Sequence, residues 1–98
     1  MASHLNFMKN GFFVGGGVDK TIVLGFQPKL VKIVNITDSI QAEKFESMEA
    51  DKALRTLQAG TKDYGDYITI NSDGFTVKAA LAVSAKELHY VASESLNE

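Results

Sequence analysis

The chain has 98 residues, ten Lys+Arg against twelve Asp+Glu, a formal net charge of −2 and no cysteine. One domain is expected at this length, burying about 65% of the surface its unfolded chain exposes, so oligomerisation would help it. Disulfides, thiolate metal sites and cysteine nucleophiles are excluded, the scattered basic residues with Arg55 as sole arginine make no nucleic-acid stripe, and no apolar run could span a bilayer.

Residues 1–18 mix small, polar and aromatic types without a clear period. They are expected to form an extended N-terminal arm, ordered only by packing on something, with a short helical turn over 1–9 as an option. Met1-Ala2-Ser3-His4 has no charged region leading into an apolar one, so a signal peptide is not expected. Gly15-Gly16-Gly17 would be the joint between this arm and a β domain over 19–92.

Thr21-Ile22-Val23-Leu24-Gly25-Phe26 predicts a strand with Ile22, Leu24 and Phe26 on one face. Pro28 interrupts it, because proline cannot donate to a ladder. Residues 30–36 resume as a β-branched strand, with Leu30, Lys32, Val34 and Ile36 on one face and Val31 and Ile33 on the other. A strand apolar on both faces belongs inside a sandwich or against a partner subunit.

Residues 42–59 contain strong helix formers. Wound as one helix, however, the pair Phe45 and Met48 would point about 150° away from the pair Leu54 and Leu57. A break near 49–51 is favoured, with a strand containing Phe45 and one short helical turn over 53–57. A helix through the whole stretch stays open.

Residues 67–71 and 75–78 flank Ser72-Asp73-Gly74 and predict a hairpin with Asp73-Gly74 as its two-residue loop. Ser72 would then pair with Phe75, Ile70 with Val77, and Ile68 with Ala79. Residues 88–92 read as a last strand and 93–98 as a polar tail. Five to seven strands at this spacing predict an all-β fold: an antiparallel β-sandwich or small barrel, jelly-roll-like, with at most one short helix near 49–59.

Few residues are placed for chemistry. Gly11 and Gly16 have phosphate-loop spacing, but Gly17-Val18-Asp19 separates them from Lys20-Thr21, and a strand follows where that loop needs a helix. His4 and His89 are the only histidines, and neither sits in a nucleophile motif. Asp63, Asp66 and Asp73 lack the calcium-loop pattern, so Tyr64-Gly65-Asp66 and Ser72-Asp73-Gly74 read as turns. No enzyme activity, cofactor or metal is expected.

Gly25-Phe26-Gln27-Pro28 leads into a strand that ends at Asn35-Ile36-Thr37, and this Gly-Phe-x-Pro, Val-x-Ile and Asn-x-Thr run resembles one found in small β-rich virion proteins of tailed bacteriophages. Glu43-Lys44-Phe45-Glu46-Ser47-Met48, an Asp-Gly-Phe-Thr-Val segment at 73–77 and a strand at 88–92 follow in the same order. Lys44 stands where those proteins often have an aromatic residue. The resemblance spans residues 22–92. It implies a structural role: a capsid decoration or cement protein bound to the major capsid protein on the head of the virion. It would be assembled in the host cytoplasm as a homo-oligomer, with trimers fitting three-fold lattice positions, and would need neither nucleic acid nor membrane. A tail, neck or baseplate component is the alternative. A small carbohydrate- or ligand-binding module using Tyr64, Tyr67 and Tyr90 is a further one. Phe12 and Phe13, swung by Gly15, Gly16 and Gly17, are the candidate partner-binding residues.

Overall fold

The computed structural model describes residues 8–94. They form nine strands and no helix: β1 (Met8–Val14), β2 (Lys20–Val23), β3 (Leu30–Asn35), β4 (Ile40–Phe45), β5 (Lys52–Thr56), β6 (Lys62–Asp66), β7 (Ile68–Asn71), β8 (Gly74–Val77) and β9 (Glu87–Ser93). Two antiparallel sheets result, one of six strands in the order β1-β9-β3-β4-β5-β6 and one of three in the order β2-β8-β7. The expected all-β architecture is what the chain adopts.

The core lies between the sheets. Phe13, Val31, Ile33, Ala42, Ala53, Leu88 and Ala92 come from the larger sheet and Ile68, Phe75 and Val77 from the smaller. Phe75 meets Tyr90 edge to face at 5.3 Å, one sheet to the other. The period of two decides which side chains go inward: Val31 and Ile33 are fully buried, while Val34 and Ile36 on the opposite face are 37% and 53% exposed.

Five sequence-based expectations are corrected. The helical turn over 53–57 is strand β5, paired with β4 through Gln41↔Thr56 and with β6 through Leu54↔Tyr64. The chain turns over residues 46–51, so β5 runs back along β4 and Leu54, opposite Glu43, lies on the same face as Phe45. That turn is tied by Lys44 Nζ, which donates to the carbonyls of Glu49 and Lys52, both at 2.7 Å. Asp51 closes it with φ 68°, accepting from Thr69 Oγ1 on its side chain and from Tyr67 N–H on its carbonyl.

The hairpin keeps its faces but shifts its register by two. Ile70 pairs with Phe75, Ile68 with Val77, and Asn71 with Gly74, so the loop is Ser72-Asp73. A two-residue slip leaves every side chain on its own face, so the hydrophobic pattern could not decide it. The third strand decides it: Gly74 pairs with Val23 of β2, where a Cβ would lie 2.0 Å from the Ile22 carbonyl oxygen.

Residues 8–14 are not an arm. They form an edge strand along β9, with Phe12 opposite His89 and Phe13 opposite Leu88. Phe13 drops into the chain's own core, and Gly11 makes room for the Tyr90 ring, whose hydroxyl would lie 2.7 Å from an added Cβ. Tyr64-Gly65-Asp66, read as a turn, lies in β6. Ser93, assigned to the polar tail, is buried at the end of β9. The helical option over 1–9 falls partly in β1 and otherwise outside the described residues, and 95–98 of the tail also lie outside them.

Candidate functional site

The two sheets turn different chemistry outward. On the smaller sheet the outward side chains include Thr21, Thr69, Asn71 and Thr76. Thr76 Oγ1 meets Thr21 Oγ1 at 3.1 Å and accepts from the Asn71 amide at 3.0 Å, so this face is largely polar and internally bonded, with Val23, 67% exposed, its one large apolar side chain among the described residues.

The larger sheet is the opposite. Residues facing one another across an antiparallel ladder share a face. The pairs Met8↔Ser93, Asn10↔Val91, Phe12↔His89 and Val14↔Glu87 therefore continue outward through Lys32↔Val91, Val34↔His89, Leu30↔Phe45, Glu43↔Leu54 and Leu54↔Tyr64. Met8, Phe12 and Val14 are each more than 60% exposed, and Val34, Phe45 and Tyr64 between 37% and 48%. Phe12 stacks on His89 with ring centres 5.4 Å apart, and His89 shares a 2.7 Å contact with Glu87. A depression of about 260 Å³ lies on this face among Asn10, Lys32, Val34, His89 and Val91. Two ion pairs cross the face, Lys32–Glu43 at 3.7 Å and Lys52–Asp66 at 2.8 Å, all four side chains partly exposed. Pairs of this kind contribute little stability. What stands out is apolar area left in water on one side of the sheet.

The glycine run is held. Gly15 N–H donates to the Lys86 carbonyl and its own carbonyl accepts from Ala85 N–H, both at 2.9 Å; Gly17 N–H donates to the Ala82 carbonyl. A Cβ on Gly15 would lie 2.1 Å from the Val83 carbonyl oxygen, and Gly17 has φ +77°. Gly15 and Gly17 let the backbone lie against residues 82–86, while Gly16 is exposed. The expected partner-binding set therefore divides: Phe12 stays on the surface, Phe13 is core, and the glycines are a docked loop where a swinging joint was expected.

A polar cluster missed in the sequence lies where β5, β6 and β7 meet. Arg55 binds both carboxylate oxygens of Asp63, at 2.7 and 3.2 Å, and its guanidinium lies 4.4 Å from the Tyr67 ring centre. Tyr67 donates its hydroxyl to Asp63 at 3.1 Å. The Arg55 hydrogen bond holds the Asp63 carboxyl below its ordinary range, and burial pushes the Tyr67 phenol up. No buried side-chain polar atom lacks a partner among the described residues. The cluster cements three strands and leaves no poised acid or base. Lys44, 2% exposed, is likewise committed to two carbonyls; burial lowers its pKa and the Asp51 charge partly restores it. The signal for it was present: a lysine on the inward parity of a strand, alternating with Ala42, must find oxygen partners inside.

Tyr64, Tyr67 and Tyr90 share no surface. Tyr64 faces outward and accepts from Glu49 N–H, Tyr67 is buried, and Tyr90 packs on the core. A cavity of about 350 Å³ opens between the Ser39 and Gln58 turns and is lined by aliphatic, hydroxyl and amide side chains, without a carboxylate, amine or imidazole. No metal-holding group of His, Cys, Asp and Glu occurs among the described residues. In comparisons with known proteins, no family model, no curated protein and no solved structure matches the chain.

Proposed function

We propose that this chain is a non-enzymatic structural protein of a tailed-bacteriophage virion: a decoration protein that binds the major capsid protein on the outer surface of the head and stabilises it. The single observation carrying the reading is the asymmetry of the two outer faces. A sheet bonded internally through threonine and asparagine has no need of a cover. A sheet presenting Met8, Phe12, Val14, Val34, Phe45 and Tyr64 gains from one. Burying a fully exposed apolar side chain contributes about 1.5–3 kcal/mol, and these, 37–64% exposed, would each gain roughly the corresponding fraction when covered. Repeated over a lattice, a modest site becomes tight through multivalency. The ordered resemblance over residues 22–92 supports the kind of particle, and the apolar side chains spread over the face support the kind of partner, a protein surface.

The test mixes purified protein with heads assembled without it. Saturable binding at a fixed ratio to the major capsid protein, with a raised disruption temperature, is expected. No binding to heads overturns the head assignment, and immunogold label on the tail, neck or baseplate would move the protein there. The glycan-binding alternative draws no support from three tyrosines of which Tyr64 faces outward while Tyr67 and Tyr90 are packed inward.

A further inference from the structure

We propose that β1 is a docking edge for a second copy of this chain: two β1 strands pair antiparallel about a two-fold axis through Gly11, joining two six-stranded sheets into one. Among the described residues the larger sheet has two open edges, and they differ. β6 carries Lys62, Asp63 and Asp66 along five residues, the charged guarding that keeps an edge from pairing. β1 offers seven residues, Met-Lys-Asn-Gly-Phe-Phe-Val, with Lys9 as its one charge.

The hydrogen-bonding parity of β1 is fixed by its neighbour. Gly15 N–H donates to the Lys86 carbonyl in line with the β1–β9 register, so the odd-numbered residues of β1 bond β9. On the other side of β9, Ile36 N–H donates to the Glu87 carbonyl, so the odd-numbered residues of β9 serve β3 and its even-numbered ones serve β1, as the same parity requires. Met8, Asn10, Phe12 and Val14 therefore turn their N–H and C=O groups to the open side.

A two-fold through Gly11 places Asn10 opposite Phe12 of the second copy and Met8 opposite its Val14. These are the outward-bonding residues, so each pair exchanges two hydrogen bonds, about eight in all. Gly11 meets Gly11 in the close, non-bonded position. Like faces continue into like, and the two Phe12 rings sit on the diagonal, about 7–8 Å apart and within aromatic reach. The two Lys9 residues lie four positions apart, about 14 Å at 3.4 Å per residue, beyond the screening length of about 8 Å at physiological salt. Pairing β1 with any other edge would give a head-to-tail contact, whereas this register closes at two. The pairing does not depend on the head-coating role.

Sedimentation equilibrium of the full chain tests it. The wild-type mass should rise with concentration to twice the 10.6 kDa of one chain. Asn10→Pro should halve it with the far-ultraviolet dichroism unchanged, because the N–H it removes faces the open side. A wild-type chain that stays single at every concentration, or a folded Asn10→Pro that still pairs, overturns the proposal. Should Asn10→Pro lose its β signal, the double variant Asn10→Cys with Phe12→Cys decides. Bonded pairs sit about 5.5 Å apart at Cα, within disulfide reach, and the chain has no cysteine to compete. Mild oxidation should give a covalent dimer, while Asn10→Cys alone should not. Failure of the double variant to cross-link refutes the register.

Discussion

Gly74→Ala tests the hairpin register that the sequence alone misplaced. With Ser72-Asp73 as the loop, Gly74 lies between β7 and β2, and a new Cβ would stand 2.0 Å from the Ile22 carbonyl oxygen, 3.0 Å from its carbon and 3.1 Å from Val23 Cα. All three are backbone atoms. Ordinary contact needs about 3.5 Å, so β2 must move by more than 1 Å. The Asp73 carbonyl then loses its bonds from Leu24 N–H at 2.8 Å and Gly25 N–H at 3.0 Å. At about 1 kcal/mol net per hydrogen bond, with the end of the β2–β8 ladder disturbed as well, the loss should be about 2–4 kcal/mol. For a domain this size that is a fall in melting temperature of about 10–25 °C. Gly60→Ala is the internal comparison. Gly60 has φ +92° and open space around it, so only the left-handed backbone is penalised, by about 1 kcal/mol. Urea unfolding of both variants supplies the assay. In the alternative register Gly74 is a loop residue like Gly60, so equal costs for the two substitutions would refute the observed pairing.

Phe13→Ala should cost about 3–5 kcal/mol as a core truncation, and Phe12→Ala no more than about 1 kcal/mol, its ring losing only the His89 stack; thermal melts of the pair check it, and similar costs would return both residues to a surface arm. Below about pH 4 stability should fall, because Asp63 and Asp66 have folded-state pKa values lowered by their bonds to Arg55 and Lys52. The contribution is present above the unfolded carboxylate pKa and is lost as pH drops through the folded one, so Asp63→Asn should flatten the acid limb of urea midpoint against pH. Lys44→Met should lose about 1–3 kcal/mol, since the carbonyls of Glu49 and Lys52 each lose a charged donor; a neutral result in the same urea assay would mean the turn over 46–51 holds without the amine.

The strands most readable in the sequence were those whose side chains alternate in water affinity. In β3 the pattern named both the buried Val31 and Ile33 and the second apolar face with Val34 and Ile36. That second face was already a sign of something covering it, and it became the central feature of the site. β1 and β6 were missed for a related reason. Gly11 and Gly65 occupy inward positions where Tyr90 and Tyr67 supply the bulk from neighbouring positions, so neither strand shows an apolar alternation of its own. β5 was mistaken for a helical turn because Lys, Ala, Leu and Arg are good helix formers; pairing on both sides overrode that propensity. The hairpin slip needed the third strand, which no local pattern contains. The Arg55–Asp63–Tyr67 cluster joins residues whose meeting depends on β5 and β6 pairing.

The central claim is that the outer face of the six-stranded sheet is the binding face. A cryo-EM map of heads reconstituted with this protein tests it most directly. The account predicts added density on the outer head surface, with the β1-β9-β3-β4 face and Phe12, Val34 and Phe45 against a neighbouring subunit. Heads that bind nothing, or density that leaves this face in solvent and turns the threonine face of the smaller sheet to the capsid, would contradict it.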